Sequence, residues 1–222
     1  MARRGPGRPK KRRAPTFRLG KASALPGDLW GRWLSHVLKS GPTWLYVALL
    51  LSHLLCLRIT EVLRLQGQDF DLKNGACKVK PLKRRGAMTK HVLTSVRPML
   101  QKLKSKGIRR KRAQKRGVLG VVKYTDSWKW PSQGKDYLFP SDRSDAGDVH
   151  RNKDTACKAV SRLRESFNAG RGKFLNNKLI RTHSGRHRMI NDCKSAELAD
   201  DVAMHFARIV DKRTGHECPN IA

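Results

Sequence analysis

The chain has 222 residues, and 49 Lys and Arg against 17 Asp and Glu give it a formal net charge of +32. Such a charge repels itself unless a polyanion neutralises it, which favours nucleic acid, or an anionic membrane surface, as a partner. The hydrophobic content of 38% allows a folded core and excludes disorder along the whole length.

The first 25 residues are predicted to form a disordered basic tail, since nine Lys or Arg and no acid lie between Arg3 and Lys21. Its centre resembles an AT-hook, whose Gly-Arg-Pro core lies extended in the minor groove of AT-rich DNA. A nuclear localisation signal over Pro9–Arg13 is an equal interpretation, the two can coexist, and plain solvated charge is the third. The predicted DNA-binding residues are Arg4, Gly7, Arg8, Pro9, Lys10, Lys11, Arg12 and Arg13.

Residues 26–222 are predicted to form the folded domain, in which apolar residues recur at helical spacing. The expected helices are Trp30–Leu38, Trp44–Leu55, a helix after Arg58, Val96–Lys104, Thr155–Phe167, His183–Cys193 and Glu197–Ile209. A turn is expected at Asp71–Gly75. The expected strands are Ala76–Leu82, Lys90–Thr94, Val118–Lys123 and Tyr137–Ser141. The predicted fold class is therefore α+β, mostly α-helical with a small antiparallel β-sheet or hairpin.

A second basic run covers residues 102–116, with nine Lys or Arg and no acid. A solvated loop and a DNA-facing insertion are equal interpretations of it.

The five cysteines are scattered and no two form a CxxC pair. This pattern does not indicate a zinc ribbon or a disulfide framework, so we expect thiols in a reducing compartment and no metal. The chain opens without an apolar signal core, and the apolar run Trp44–Leu57 is too short to span a bilayer. We therefore expect no secretion and no membrane partner. The expected location is nuclear in a eukaryote, and otherwise cytoplasmic or nucleoid.

Two segments carry candidate chemistry. Arg58 lies between an apolar and an amphipathic helix, and its simplest interpretation is a salt bridge to Glu61. His183 and Arg186 stand three residues apart and share a helix face. Histidine exchanges a proton near neutral pH, and arginine grips two oxygens of one phosphate.

The order of these segments resembles the catalytic domain of the tyrosine recombinases, the phage-integrase family. The matching parts are Leu57-Arg58-Ile59-Thr60-Glu61-Val62-Leu63, the hairpin at residues 76–94, Leu138-Phe139-Pro140-Ser141 and His183-Ser184-Gly185-Arg186. The resemblance covers Trp44 to Arg213. It implies a domain that breaks and rejoins DNA strands in recombination or integration. The implied partners are duplex DNA and other recombinase protomers in a synaptic oligomer, with no small-molecule substrate.

The resemblance also implies catalytic roles. Arg58 and Arg186 would clamp the scissile phosphate, and His183 would assist proton transfer. A lysine of the hairpin would protonate the leaving 5′-oxygen; Lys83 fits best by position, with Lys80 and Arg84 as alternatives. Arg208 falls where the family carries His or Trp. No metal and no nucleotide cofactor is required.

The family's nucleophilic tyrosine should follow Arg208, near Glu217. The chain's three tyrosines, Tyr46, Tyr124 and Tyr137, all precede His183. We therefore expect a C-terminally incomplete domain without autonomous strand cleavage, and whether it is an enzyme stays open. One alternative is a recombinase that receives a partner's tyrosine; another is a non-catalytic chromatin or RNA-binding basic protein.

Overall fold

The computed structural model describes residue 25 and residues 27–80, 87–115, 121–142, 149–169 and 180–196. This part of the chain is mixed α and β, which confirms the predicted fold class. The helices are α1 Gly27–Ser40, α2 Thr43–Leu54, α3 Ile59–Leu63, α4 Arg97–Lys106, α5 Lys153–Asn168 and α6 Ser184–Ser195. The strands are β1 Phe70–Asp71, β2 Ala76–Val79, β3 Met88–His91, β4 Ile108–Lys115 and β5 Val121–Trp128.

Helix α2 lies at the centre of the core. It contacts α1, α3, α6 and the two longest strands, β4 and β5. Its apolar residues are not confined to one stripe: Leu45, Val47, Leu49 and Leu51 are all fully buried. A helix that is apolar on most of its surface is covered by other elements on most sides. The neighbouring segments at both ends of α2 therefore have fixed positions relative to it.

The first sheet is antiparallel, in the order β1-β2-β3, with Cys77 opposite Lys90. The predicted turn lies between β1 and β2, where the Asp71 side chain accepts hydrogen bonds from the backbone and the side chain of Asn74. Gly75 has a φ of +68°, which favours glycine. The described strands are shorter than predicted, and β3 begins two residues early.

The second sheet is the antiparallel pair β4 and β5. Residues 102–106 of the second basic run belong to α4, and residues 108–115 form β4, so the loop interpretation is wrong for them. The strand predicted at residues 118–123 corresponds to β5, which is longer and covers Val121–Trp128. The expected strand Tyr137–Ser141 is present only as two single bridges, at Tyr137 and at Pro140. Proline has no N–H to continue a ladder.

Leu25 was assigned to the tail on sequence grounds, but it is buried in the core, and its carbonyl accepts a hydrogen bond from Arg188 at 3.4 Å. The rest of the tail and the helix expected at residues 197–209 lie outside the described residues. Cysteines 56, 77, 157 and 193, which are described, are free thiols. Among the described helices, none is long and apolar enough to cross a membrane.

Candidate phosphate-binding site

A tight turn between α2 and α3 positions Arg58. Cys56 has a φ of +51°, uncommon for a residue other than glycine. The Ser52 hydroxyl donates to the Leu57 carbonyl at 2.8 Å. From β3, the buried Lys90 ammonium donates to the Leu55 carbonyl at 3.1 Å. The turn is therefore held from both sides, and Arg58 stands at the N-terminal cap of α3.

Glu61 links the two arginines of the site. Its Oε2 accepts the backbone N–H of Arg58 at 2.8 Å, and its Oε1 lies 3.4 Å from the Arg58 Nη1. The Nη1 of Arg186 lies 3.9 Å from the same Oε2. The Glu61 side chain is 2% exposed, that of Arg186 8% and that of Arg58 47%. A buried carboxylate requires such partners, and here two arginines share its single negative charge.

The first turn of α6 sets the position of Arg186. Ser184 is fully buried, and its hydroxyl accepts the backbone N–H of Arg181 at 2.9 Å. Gly185 lies against α1 and α2: a Cβ added there would come within 2.8 Å of the Trp30 ring. The His53 ring N–H donates to the Gly185 carbonyl at 3.0 Å. Only glycine allows α6 to approach this closely without displacing Arg186.

His183 precedes α6 and is electrostatically coupled to the arginines. Burial lowers the pKa of its imidazole from 6.5, and the charges of Arg186, His187, Lys153 and Arg58 lower it further. Lys153, at the start of α5, lines the same concavity of about 370 Å³ as His183. His183 is therefore neutral near pH 7 and able to accept a proton, and a bound anion would oppose the lowering of its pKa.

Solved structures share this architecture. The Tn1549 transposon integrase in complex with circular intermediate DNA superimposes with a TM-score of 0.59 over 85% of this chain, at 16% identity. The catalytic core of lambda integrase gives a TM-score of 0.54 over 88% of this chain, at 16% identity, and 96% of that core is covered. The fold is that of an integrase catalytic domain. An integrase from mycobacterium phage Brujita gives a TM-score of 0.53 over 91% of this chain, at 15% identity.

The chain spans 59% of the Tn1549 integrase structure and 52% of the Brujita integrase. No protein-family model and no curated protein matches it. At these identities, the likeness to integrases is a likeness of fold.

Within this integrase fold, the structure brings together three of the five residues predicted to be catalytic: Arg58, His183 and Arg186. Lys83 and Arg208 lie outside the described residues, as do Arg84 and every predicted DNA-binding residue of the tail. The other alternative, Lys80, is exposed, and its Nζ donates to the Gln66 side chain at 2.7 Å. The hairpin lysine therefore stays a prediction.

Three contributions were missed by sequence reasoning. Glu61 was assigned to Arg58 alone, but it also pairs with Arg186. Lys153 has no motif around it, and its proximity to His183 follows only from the packing of α5. Lys90 carries a local signal. Side chains alternate between the two faces of a strand, so a lysine whose neighbours on both sides point outward must point inward.

Proposed function

We propose that this chain is a tyrosine-recombinase-type DNA-binding domain, which holds one backbone phosphate of duplex DNA between Arg58, His183 and Arg186. The observation that carries the proposal is that Arg58 and Arg186, from opposite ends of the folded domain's sequence, contact the same buried carboxylate. Glu61 supplies one negative charge against two positive ones. The remaining positive charge, together with the exposed half of the Arg58 side chain, suits an incoming phosphate.

The two arginines would contact the phosphate in different ways. Arg186 is buried and held by α6, so it is preorganised and needs little rearrangement when charge develops on the phosphate. Arg58 is half exposed and can meet the phosphate from the solvent side. The neutral imidazole of His183 can take up a proton at the same site. This arrangement supports stabilisation of a phosphoryl transition state in DNA recombination or integration.

We propose that the chain alone has no autonomous strand cleavage, because none of its three tyrosines is placed for attack at the Arg58–Arg186 site. Tyr46 is half-buried in α2, and burial raises its pKa, which opposes formation of the phenolate. Tyr124 is on β5, which docks at the start of α2, whereas Arg58 follows its end. Tyr137 pairs with Gln66 and packs on His150. In-line attack requires reacting atoms about 3–3.5 Å apart, and a partner protomer's tyrosine would satisfy that requirement.

The same proposal extends to the rest of the chain. Residues 1–25 would act as an AT-hook-like tail that binds the minor groove of AT-rich DNA, as a nuclear localisation signal, or as both. Its composition supports this role, since basic residues, glycine and proline alternate there without an acid. The folded domain would supply the phosphate contact, and other protomers would complete a synaptic assembly.

Phosphate ethylation interference tests the proposed site. A duplex enriched from a random pool by the wild-type chain would be ethylated at single phosphates, and the bound and free fractions compared. Arg58→Lys combined with Arg186→Lys keeps the charge but removes the planar fork of each guanidinium. The charge-conserving control is Arg32→Lys, on the exposed surface of α1. Bulk affinity should change little in either variant.

We expect ethylation of one or two neighbouring phosphates to block the wild type and the Arg32 variant, but not the double variant. An identical interference pattern for all three proteins would reject the phosphate site. Equal binding of duplex DNA and structured RNA, with no single sensitive phosphate, would favour the non-catalytic basic protein instead.

A further inference from the structure

The β4–β5 pair has an inner face that fastens it to the helices. The Arg112 guanidinium donates to the carbonyls of Lys39 and Leu38, at 3.0 and 3.2 Å, and also to that of Gly41, at the end of α1. Its Nε lies 2.7 Å from the Asp126 carboxylate, which also accepts the backbone N–H of Thr43 at the start of α2 at 2.9 Å. One arginine and one aspartate therefore cap two helices and fix the pair at the corner between them.

The opposite face of this pair is open. Side chains alternate along a strand, so the residues between the anchoring ones point away from the helices. The register pairs Arg109 with Ser127, Lys111 with Thr125 and Ala113 with Lys123. All six of these residues are exposed. We call them the outer ribbon face.

The outer ribbon face is positively charged, and none of its six residues is acidic. It carries Arg109, Lys111 and Lys123, and Asp126, the one acidic residue in the two strands, is on the inner face. Within the described residues, none of the three cations makes a side-chain hydrogen bond or ion pair. Alternate residues of a strand are about 6.8 Å apart, so Arg109 and Lys111 present a regular row of charge flanked by the hydroxyls of Thr125 and Ser127.

We propose that the outer ribbon face is a second DNA-binding surface, which contacts the sugar-phosphate backbone of duplex DNA away from the Arg58–Arg186 site. Cations and hydroxyls are the groups that bind phosphate oxygens. A two-stranded ribbon also has dimensions that the DNA major groove admits. The inference rests on the proposed function, because it takes the same duplex as the ligand.

The separation of the two sites follows from α2. This helix has 12 residues and is therefore about 18 Å long, with the ribbon at its first turn and Arg58 after its last. A duplex rises about 3.4 Å per base pair. A duplex running parallel to α2 would then bring the ribbon to phosphates roughly five base pairs from the phosphate held by Arg58 and Arg186.

The test removes charge from the outer face of the full chain. The triple variant Arg109→Gln, Lys111→Gln and Lys123→Gln is compared with a charge-matched control, Lys73→Gln, Lys129→Gln and Lys135→Gln, whose three lysines are also exposed. Equilibrium binding of a fluorescent duplex is measured by anisotropy over a salt series. The negative slope of log affinity against log salt should be less steep by about 2.7 in the ribbon variant, at about 0.9 for each lost phosphate contact.

The slope of the control variant should differ from that of the wild type by no more than about 0.9, the value for one phosphate contact. Thermal unfolding should be the same for all three proteins, because the substituted side chains point to solvent. Equal slopes in the ribbon and control variants would overturn the inference, since they would show a general charge effect. An unchanged slope in the ribbon variant would also overturn it and would favour another protein as the occupant. Failure of the wild type to bind any duplex would instead reject the proposed function.

Discussion

Glu61→Gln removes the carboxylate that Arg58 and Arg186 share, while keeping the size of the side chain and one acceptor oxygen. The Arg58 pair is half exposed and contributes less than about 1 kcal/mol. Arg186 is 8% exposed, and removing one partner of a buried pair costs about 3–5 kcal/mol. Because the Arg186 to Glu61 separation is a long 3.9 Å, we expect the lower end, a loss of about 3 kcal/mol.

Urea unfolding followed by tryptophan fluorescence measures this loss. With a slope near 2 kcal/mol/M, the midpoint should fall by about 1.5 M without a change in slope. The matched control is Asp69→Asn, because Asp69 is also a buried carboxylate that accepts the backbone N–H three residues before it, from Gln66 at 2.8 Å. It has no arginine partner in the described contacts, so we expect a loss of about 1 kcal/mol.

The difference between the two variants isolates the arginines from the helix cap. A Glu61 variant that loses no more stability than the Asp69 variant would refute the shared ion pair. Saturating duplex DNA should reduce the difference in stability between the Glu61 and Asp69 variants, since a bound phosphate would replace the missing negative charge beside Arg186.

Gly185→Ala should destabilise the protein by about 1–3 kcal/mol, since its Cβ would overlap the Trp30 ring; chemical unfolding measures this, and an Ala variant as stable as wild type would exclude the close approach of α6. The His183 pKa is below 6.5 in the folded protein, so the unfolded chain binds more protons and stability should fall as pH drops below about 6.5. His183→Gln should reduce this loss, and identical profiles of stability against pH for the wild type and the variant would contradict the prediction. With a nicked suicide substrate, the chain alone should give no denaturation-resistant adduct; an adduct abolished by a Tyr→Phe change would show a nucleophile within the chain. Deletion of residues 1–21 should lower the salt slope and any AT preference, and equal binding of AT-rich and GC-rich duplexes by the intact chain would remove the AT-hook interpretation.

Sequence periodicity predicted the helices of the described part of the chain, and short motifs indicated which residues form the candidate site. Helical spacing of apolar residues predicts α2 and α5 to within about two residues, since amphipathic or apolar periodicity is a local property. The order of Arg58, the hairpin and His183-Ser184-Gly185-Arg186 indicates the recombinase type of fold, because each motif is short and contiguous. The comparison with solved integrases confirms that fold.

Features that depend on partners distant in sequence are visible only in the folded chain. Residues 108–115 became a strand because β5 pairs with them and because Arg112 caps α1, and neither contact is visible in the composition of a basic run. Likewise, only packing shows that Glu61 serves two arginines, since Arg186 reaches it through α6, which Gly185 seats against Trp30. Periodicity reports on neighbours three or four residues away, whereas burial and ion pairing are set by which faces meet across the core.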